Sequence, residues 1–472
     1  MSDVEVVSKP LDRTGPLQKS ATEERFTRMA ELLDAAGLGP ADYLYMPLKW
    51  RLQRPDLKHF AYGSALRRAA KAMVSTPPPV PHSLRYAPIL IVSTYVVSAK
   101  LFGQVAAALG PSECLFYYPG GIASQPFFNR LMGYARVFGA LGSAFAFSRL
   151  VQSTLKKAGV ETVERDRAAL AAFIHRMYRQ TARAILSRVR PKCLVIGNGN
   201  RPLEFALWAE AKARGVTTVL LPYTEITLKP ARFLSLCRGD FDLVLPFSES
   251  SAVQIRRLRP SVETTVVGFP VGFNAASEDA SKDEEPAKSD AGPRVALYFA
   301  GTNFEEGAAE LMREAFRGSS GLRLRVRLHP RSSAEGRSIF NWLDAKSISD
   351  PHEVDLADDI GKSAVVLAVR STAAIEAMIA GVPCIWLSPA SAREQLKFST
   401  LRAQDLTPLE ASTPEELRAI LERLRDSDGE RQRIVEHQWG RLRKVGYDRD
   451  YFNLTATALR RAVGVLGAEA SD

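Results

Sequence analysis

Two separate stretches of this chain hold side chains that can bind one anion. Residues 329–333 read HPRSS, placing His329, Pro330 and Arg331 at the end of the run LRLRVRLHPRSS. An imidazole at a strand end can donate to phosphate oxygens, and a guanidinium beside it adds charge. About forty residues further on, AVVLAVRSTAAIEAMIAGVPCIWLSP at 364–389 carries an apolar run into Arg370, Ser371 and Thr372. The two hydroxyls can cap the helix that follows, whose first backbone N–H groups lie beside Arg370. Glu376, one helical turn past Thr372, can accept both hydroxyls of a ribose; a solvated helix glutamate is the other reading of that position. Ser-Thr helix starts also serve purely structural roles, so it is the combination of the two stretches that points to a phosphate.

Such groups need elements to hold them. In 322–328, Leu322, Leu324, Val326 and Leu328 alternate with Arg323, Arg325 and Arg327, which predicts a strand with leucines and valine inward and arginines outward. Pro330 lacks an N–H and ends it. After Thr372 a helix places Ala374, Ile375, Met378 and Ile379 on one face, Gly381 stops it, and Pro383 opens another strand. The first half repeats a strand, loop, helix rhythm: PILIVS at 88, ECLFYY at 113, KCLVIG at 192, VTTVLLPY at 216, FDLVLPF at 241 and TTVVGFP at 264, with a long helical stretch from 167. Strands this apolar are buried on both faces, which requires a parallel sheet covered by helices. The small, charged stretch 274–293 reads as an exposed linker, after which the rhythm restarts with RVALYFAG at 294.

The expected fold is therefore α/β: two doubly wound, Rossmann-like domains facing a cleft, with a helical N-terminal extension. The expected boundaries are a disordered tail plus basic helical extension over 1–80, a first domain over 81–273, the linker 274–293, and a second domain with terminal helices over 294–472. Open α/β sheets hold ligands beyond the carboxyl ends of their strands. By that rule the loop GNGNRP with Asn198 and Asn200, Glu204 just after it, the loop YPGGIAS at 118–124, and Gly301, Thr302 and Asn303 are further candidates.

With 472 residues, a net charge of +11 and a pI near 9.5, the chain suits an anionic partner: nucleic acid, phospholipid, acidic glycan or nucleotide. The aromatics lack any RNA-binding spacing, which sets nucleic acid aside. Cysteines at 114, 193, 237 and 384 stand singly in apolar segments and read as reduced core thiols. The remaining histidines lack ligand spacing, so no metal is expected. The N-terminus has no apolar signal region, and the apolar stretch 137–147 is too short to span a bilayer, so a cytoplasmic protein is expected. Aromatics mixed with seven Lys and Arg over 41–75 suit contact with an anionic inner membrane face; a helix packed on the core with a solvated basic face suits them equally.

A strand ending in His-Pro, followed by a hydroxyl pair, a helix glutamate and GVPCI, resembles the donor domain of the GT-B glycosyltransferases. Within these it is most similar to bacterial capsule and surface-polysaccharide transferases, polysialyltransferases and Kdo transferases among them. The resemblance spans roughly 88–450 and rests on 322–388. It implies that His329, Ser371 and Thr372 hold the donor's phosphate and that the substrates are a nucleotide sugar and a glycan or lipid-linked acceptor; no cofactor is expected. Ser-Thr stands here where many relatives have Ser-Ser. Inverting transfer needs a base to take the acceptor's proton, a contribution of roughly 10²- to 10⁴-fold. Family members place an acid in a loop comparable to VLLPYTEITLKP, which implies Glu225, although Ile226 rather than Gly follows it here. Glu225 and His329 form the implied catalytic set. Glu204 is the rival base, though a helix's first turn favours an acid on dipole grounds alone; with Asn198 and Asn200 it lies on the acceptor side. Other readings are a nucleotide-sugar 2-epimerase, an alditol-phosphate polymerase, and a non-catalytic nucleotide-sugar-binding subunit of a polysaccharide assembly complex.

Overall fold

The computed structural model describes residues 21–38, 87–94, 96–118, 127–197, 202–223, 241–270, 294–301, 305–317, 321–329, 337–392, 396 and 404–464. The linker stretch 274–293 and the aromatic, basic stretch 41–75 lie outside them.

Six strands form the first sheet: β1 (Ile89–Val92), β2 (Cys114–Tyr117), β3 (Cys193–Ile196), β4 (Thr217–Leu220), β5 (Leu243–Val244) and β6 (Glu263–Thr264). Their order is β2-β1-β3-β4-β5-β6 and every pairing is parallel. β1 and β3 bury all four residues, because helices cover both faces and leave no polar side to alternate with. The last segment is shorter than TTVVGFP suggested: only Glu263–Thr264 pairs as a strand, although Thr265 and Val267 still donate to Val244 and Pro246 carbonyls.

The second sheet holds β7 (Val295–Phe299), β8 (Arg323–Arg327), β9 (Ile348–Ser349), β10 (Ser363–Ala368), β11 (Cys384–Leu387) and β12 (Glu410–Ala411). It is also fully parallel, in the order β12-β11-β10-β7-β8-β9. In both sheets the chain starts at a central strand, builds outward on one side, then crosses to the other. The switch falls between β1 and β3 in the first sheet and between β7 and β10 in the second.

The described helices are α1 (Ala21–Ala35), α2 (Val96–Leu109), α3 (Phe127–Lys157), α4 (Thr162–Val189), α5 (Pro202–Lys212), α6 (Glu249–Leu258), α7 (Glu305–Phe316), α8 (Leu356–Gly361), α9 (Ala373–Ile379), α10 (Pro414–Asp426), α11 (Asp428–Val445) and α12 (Tyr451–Ala462). α1 begins at Ala21, inside the stretch expected to be a polar tail, and anchors on α3 through Met29 and Leu33 against Val151 and Leu155. The apolar stretch 137–147 is the middle of α3. Among the described residues no helix is long and apolar enough to cross a membrane. Cys114, Cys193 and Cys384 are buried thiols outside any disulfide; Cys237 lies outside the described residues.

The β8 arginines depart from the expected outward set. Arg323 is exposed, but Arg325 and Arg327 turn onto Asp359 of α8, with Arg325 Nε 3.1 Å from Oδ1 and Arg327 Nη1 2.5 Å from Oδ2. Ser349 Oγ also donates to Oδ2, at 2.5 Å. The reason is architectural: in a doubly covered sheet the second face of β8 meets a helix rather than water, and that helix supplies the counter-charge.

The chain's end returns to the first sheet's half. α12 packs on α2, and Arg460 Nε donates to Glu113 Oε2 at 2.8 Å. Tyr447 and Tyr451 meet Phe269 and Phe247 edge to face, with centroids 5.6 and 5.8 Å apart. Gln404 Nε2 donates to Ser248 Oγ, and Arg449 Nη2 to Glu249 Oε1.

Candidate functional site

Register places the candidate residues of the second half on one line. Phe299 of β7 pairs with Arg327 on one side and with Ala368 of β10 on the other. Gly301, His329 and Arg370 each follow that row by two residues, on three adjacent strands. Neighbouring strands lie about 4.8 Å apart, so the strand ends at Arg327 and Ala368 flank Phe299 with roughly 10 Å between them. The ladder continues one step past the strands, since Ala300 N donates to Arg327 O at 2.9 Å and Leu328 N to Ser349 O at 3.1 Å. His329 and Arg370 are half-buried, at the carboxyl ends of the strands and beside the switch point, which is where open α/β sheets hold ligands.

β10 feeds Ser371 and Thr372 directly into α9. The cap differs from the expected pair: Ser371 Oγ accepts from Ala373 N at 3.3 Å, while Thr372, at the N-cap in helical backbone, makes no side-chain cap bond. A helical N-cap points its side chain away from the free N–H groups, which leaves the capping to the residue before it. Ala374, Ile375 and Met378 anchor α9 in the core, as the apolar spacing predicts, and Glu376 sits half-buried on the flank. Pro330, Arg331, Thr302 and Asn303 lie outside the described residues.

Two features near this edge escaped the sequence reading. Ser388, just past β11, donates to Glu410 Oε1 of β12, closing the sheet's carboxyl edge on that side. Asp359 with Ser349 fixes the strand that delivers His329. The serine after CIWL was a visible signal for the first; an aspartate in a short helix gave none for the second.

In the first sheet the carboxyl ends of β1 and β3 meet at the other switch point. Gly197 follows β3 where a Cβ would lie 2.8 Å from the Phe102 ring and 3.2 Å from Tyr223, so only glycine fits without displacing an aromatic. Glu204, in the first turn of α5, is buried and reaches back to β1: Thr94 N and Thr94 Oγ1 both donate to its Oε1, at 3.2 and 2.5 Å. Its carboxylate thus ties α5 to the end of β1, a partner the helix-dipole reading did not foresee. Asn198, Asn200 and Glu225 lie outside the described residues.

Among the described residues no cluster of three or more His, Cys, Asp or Glu is placed to hold a metal ion. His175, one of the histidines without ligand spacing, is a core residue of α4. Burial, with Arg179 and Arg176 nearby, pushes its pKa down to about 3.

Two parallel, doubly wound sheets, each with its switch point beside a ligand-ready edge, define the class: an α/β protein of two Rossmann-like domains, of the GT-B type. Among solved structures the chain is similar to a protein assigned as a UDP-N-acetylglucosamine 2-epimerase from Listeria monocytogenes, at 12% identity and a TM-score of 0.51, over 82% of this chain and 98% of that one. It is also similar to the UDP-GlcNAc 2-epimerase of Neisseria meningitidis (11%, TM-score 0.48, covering 80% and 100%) and to MurG of Acinetobacter baumannii (13%, TM-score 0.43, covering 79% and 99%). At these identities the likeness is one of fold. No protein-family model and no curated protein sequence matches the chain.

Proposed function

We propose that the chain is a glycosyltransferase whose second domain binds a nucleotide-sugar donor and whose first domain binds a glycan or lipid-linked acceptor. The observation that carries this reading is that β7, β8 and β10 end in one register, at Phe299, Arg327 and Ala368, and each feeds a candidate residue two positions on, Gly301, His329 and Arg370, beside the switch point of the second sheet. An imidazole and a guanidinium on either side of a glycine leave room for phosphate oxygens and supply charge-assisted donors from both flanks. Ser371, Thr372 and Arg331 extend the phosphate set, Glu376 takes the ribose hydroxyls, and Pro330, Thr302 and Asn303 shape the loops around them. Glu225 is the proposed base, in the loop past β4, with Asn198, Asn200 and Glu204 on the acceptor side. Transfer is inverting and proceeds without a metal or other cofactor in this reading, with bacterial surface polysaccharide as the acceptor class.

A second reading, a nucleotide-sugar 2-epimerase, is favoured by the fold neighbour at TM-score 0.51, which is assigned that activity. Both readings share the donor site, and product analysis separates them: a sugar epimerised while still on the nucleotide, or one moved to an acceptor. The experiment is a thermal-shift screen of CMP, UDP, GDP and CDP followed by calorimetry of His329→Ala. One nucleotide raises the melting temperature, and the variant binds it more weakly by about 1 to 3 kcal/mol. Unchanged affinity in His329→Ala returns the histidine to a structural role. Glu225→Gln with donor binding intact loses turnover in an enzyme, whereas a binding subunit shows no turnover even in the wild type.

A further inference from the structure

Helices α3 and α4 form a hairpin that carries most of the chain's net charge. Residues 127–190 hold twelve Lys and Arg against three Asp and Glu, a surplus of nine in a chain of net +11. α3 alone holds five cations and no acid. The two helices are zipped antiparallel: the Phe145 and Phe173 rings lie 4.8 Å apart, Ser148 Oγ donates to Ala169 O, and Gln152 Nε2 donates to Asp166 Oδ1.

The hairpin is much longer than the sheet it covers. A strand of four residues spans about 13 Å, whereas a helix of 31 residues, as α3 is, spans about 46 Å. Ala144 and Phe173 pack over the first sheet, but Val151 and Leu155 pack with Met29 and Leu33 of α1 instead. The half nearer the turn therefore stands off the sheet. Its exposed side chains combine Arg149, Lys156 and Lys157 with large apolar groups. Of the five large apolar side chains exposed among the described residues, three are on this hairpin: Phe145, Leu150 and Val163, at 49, 51 and 55%. Glu161 and Asp166 are the exposed acids there, and Asp166 accepts from Gln152.

We propose that the free end of the α3–α4 hairpin docks on an anionic lipid bilayer. The cations meet the headgroups, and Leu150 and Val163 enter the boundary with the acyl chains. Two rival occupants fit worse. The chain's own stretch 41–75 carries seven Lys and Arg against two Asp, so it would bring cations to cations. A second copy seated on this face by a two-fold axis would also set like charges together. The proposal stands independently of the nucleotide-sugar reading.

The test is co-sedimentation of the full chain with phosphatidylcholine vesicles, with and without phosphatidylglycerol, at low and high salt. The wild type is expected to sediment only with the anionic vesicles, and less so in high salt. Each cation near such a surface is worth about fivefold in affinity. The combined variant Arg149→Gln, Lys156→Gln, Lys157→Gln, Leu150→Ser should therefore bind at least about tenfold more weakly, with its thermal unfolding and any nucleotide-induced shift unchanged. Neutralising Lys49, Arg51 and Arg54 instead should leave vesicle binding within about twofold of wild type. The proposal is overturned if the wild type ignores anionic vesicles, if the hairpin variant binds as well as wild type, or if only the second variant loses binding. Light scattering that shows a dimer abolished by Leu150→Ser would also overturn it, making the face a contact between copies.

Discussion

His175 shows how one buried side chain makes the fold sensitive to pH. Its pKa is near 6.5 in an unfolded chain and is pushed down to about 3 in the folded one, by burial and then by Arg179 and Arg176. Between those values the unfolded state binds the extra proton, so this group's stability is fully present above about pH 6.5 and is lost as pH falls towards 3. Urea unfolding should lose about 2 kcal/mol from this residue between pH 7 and pH 5. His175→Phe should flatten that part of the pH dependence whatever it does to stability at pH 7; an unaltered slope would mean the ring is not held neutral in the folded chain. At the same scale, His329, Arg370 and Ser371 were candidates by type alone, because a strand that stops on polar residues is visible locally. Thr94 as the partner of Glu204 was invisible, since 110 positions separate the two donors from their acceptor.

At the scale of elements, β8 depends on the Asp359 carboxylate. Arg327 is 10% exposed and Arg325 29%, and both face the same aspartate, which is itself buried. Asp359→Ala leaves two guanidinium groups without their counter-charge in a doubly covered sheet and should cost about 3 to 5 kcal/mol in urea unfolding. A loss under about 1 kcal/mol would show that water reaches the pair. Because β8 also delivers His329, nucleotide affinity measured on the folded fraction reports whether the strand end has shifted. Alternation in LRLRVRL identified the strand but assigned its arginines to solvent. Period two says which residues share a face; it says nothing about what covers that face.

For the whole molecule, the two halves are joined where β6 runs out and the chain's end returns. Gly268 has φ +86°, and a Cβ there would lie 2.7 Å from the carbonyl oxygen of Arg449. Beside it, Phe269 N donates to Tyr447 O and Arg449 Nη1 to Val266 O. Gly268→Ala meets both a left-handed backbone and a backbone clash, so it should destabilise the protein by more than about 1 kcal/mol, read as a lower melting temperature. A variant as stable as wild type would mean the crossing gives way easily. The two doubly wound halves, ten of the twelve strands, the cluster of helix α9 and the polar strand ends were all legible as local pattern, because a segment buried on both faces must be apolar wherever it ends up. The two remaining strands, β9 and β12, have two residues each and, unlike β5 and β6, are not part of a longer apolar run. Strand order, the row of Phe299, Arg327 and Ala368 that precedes Gly301, His329 and Arg370, the burial of the β8 arginines and the return of α12 to α2 came only with the folded chain. Each depends on pairing between segments separated by whole crossovers, and such pairing is set by how helices and sheets fill space together, which no window of neighbouring residues encodes.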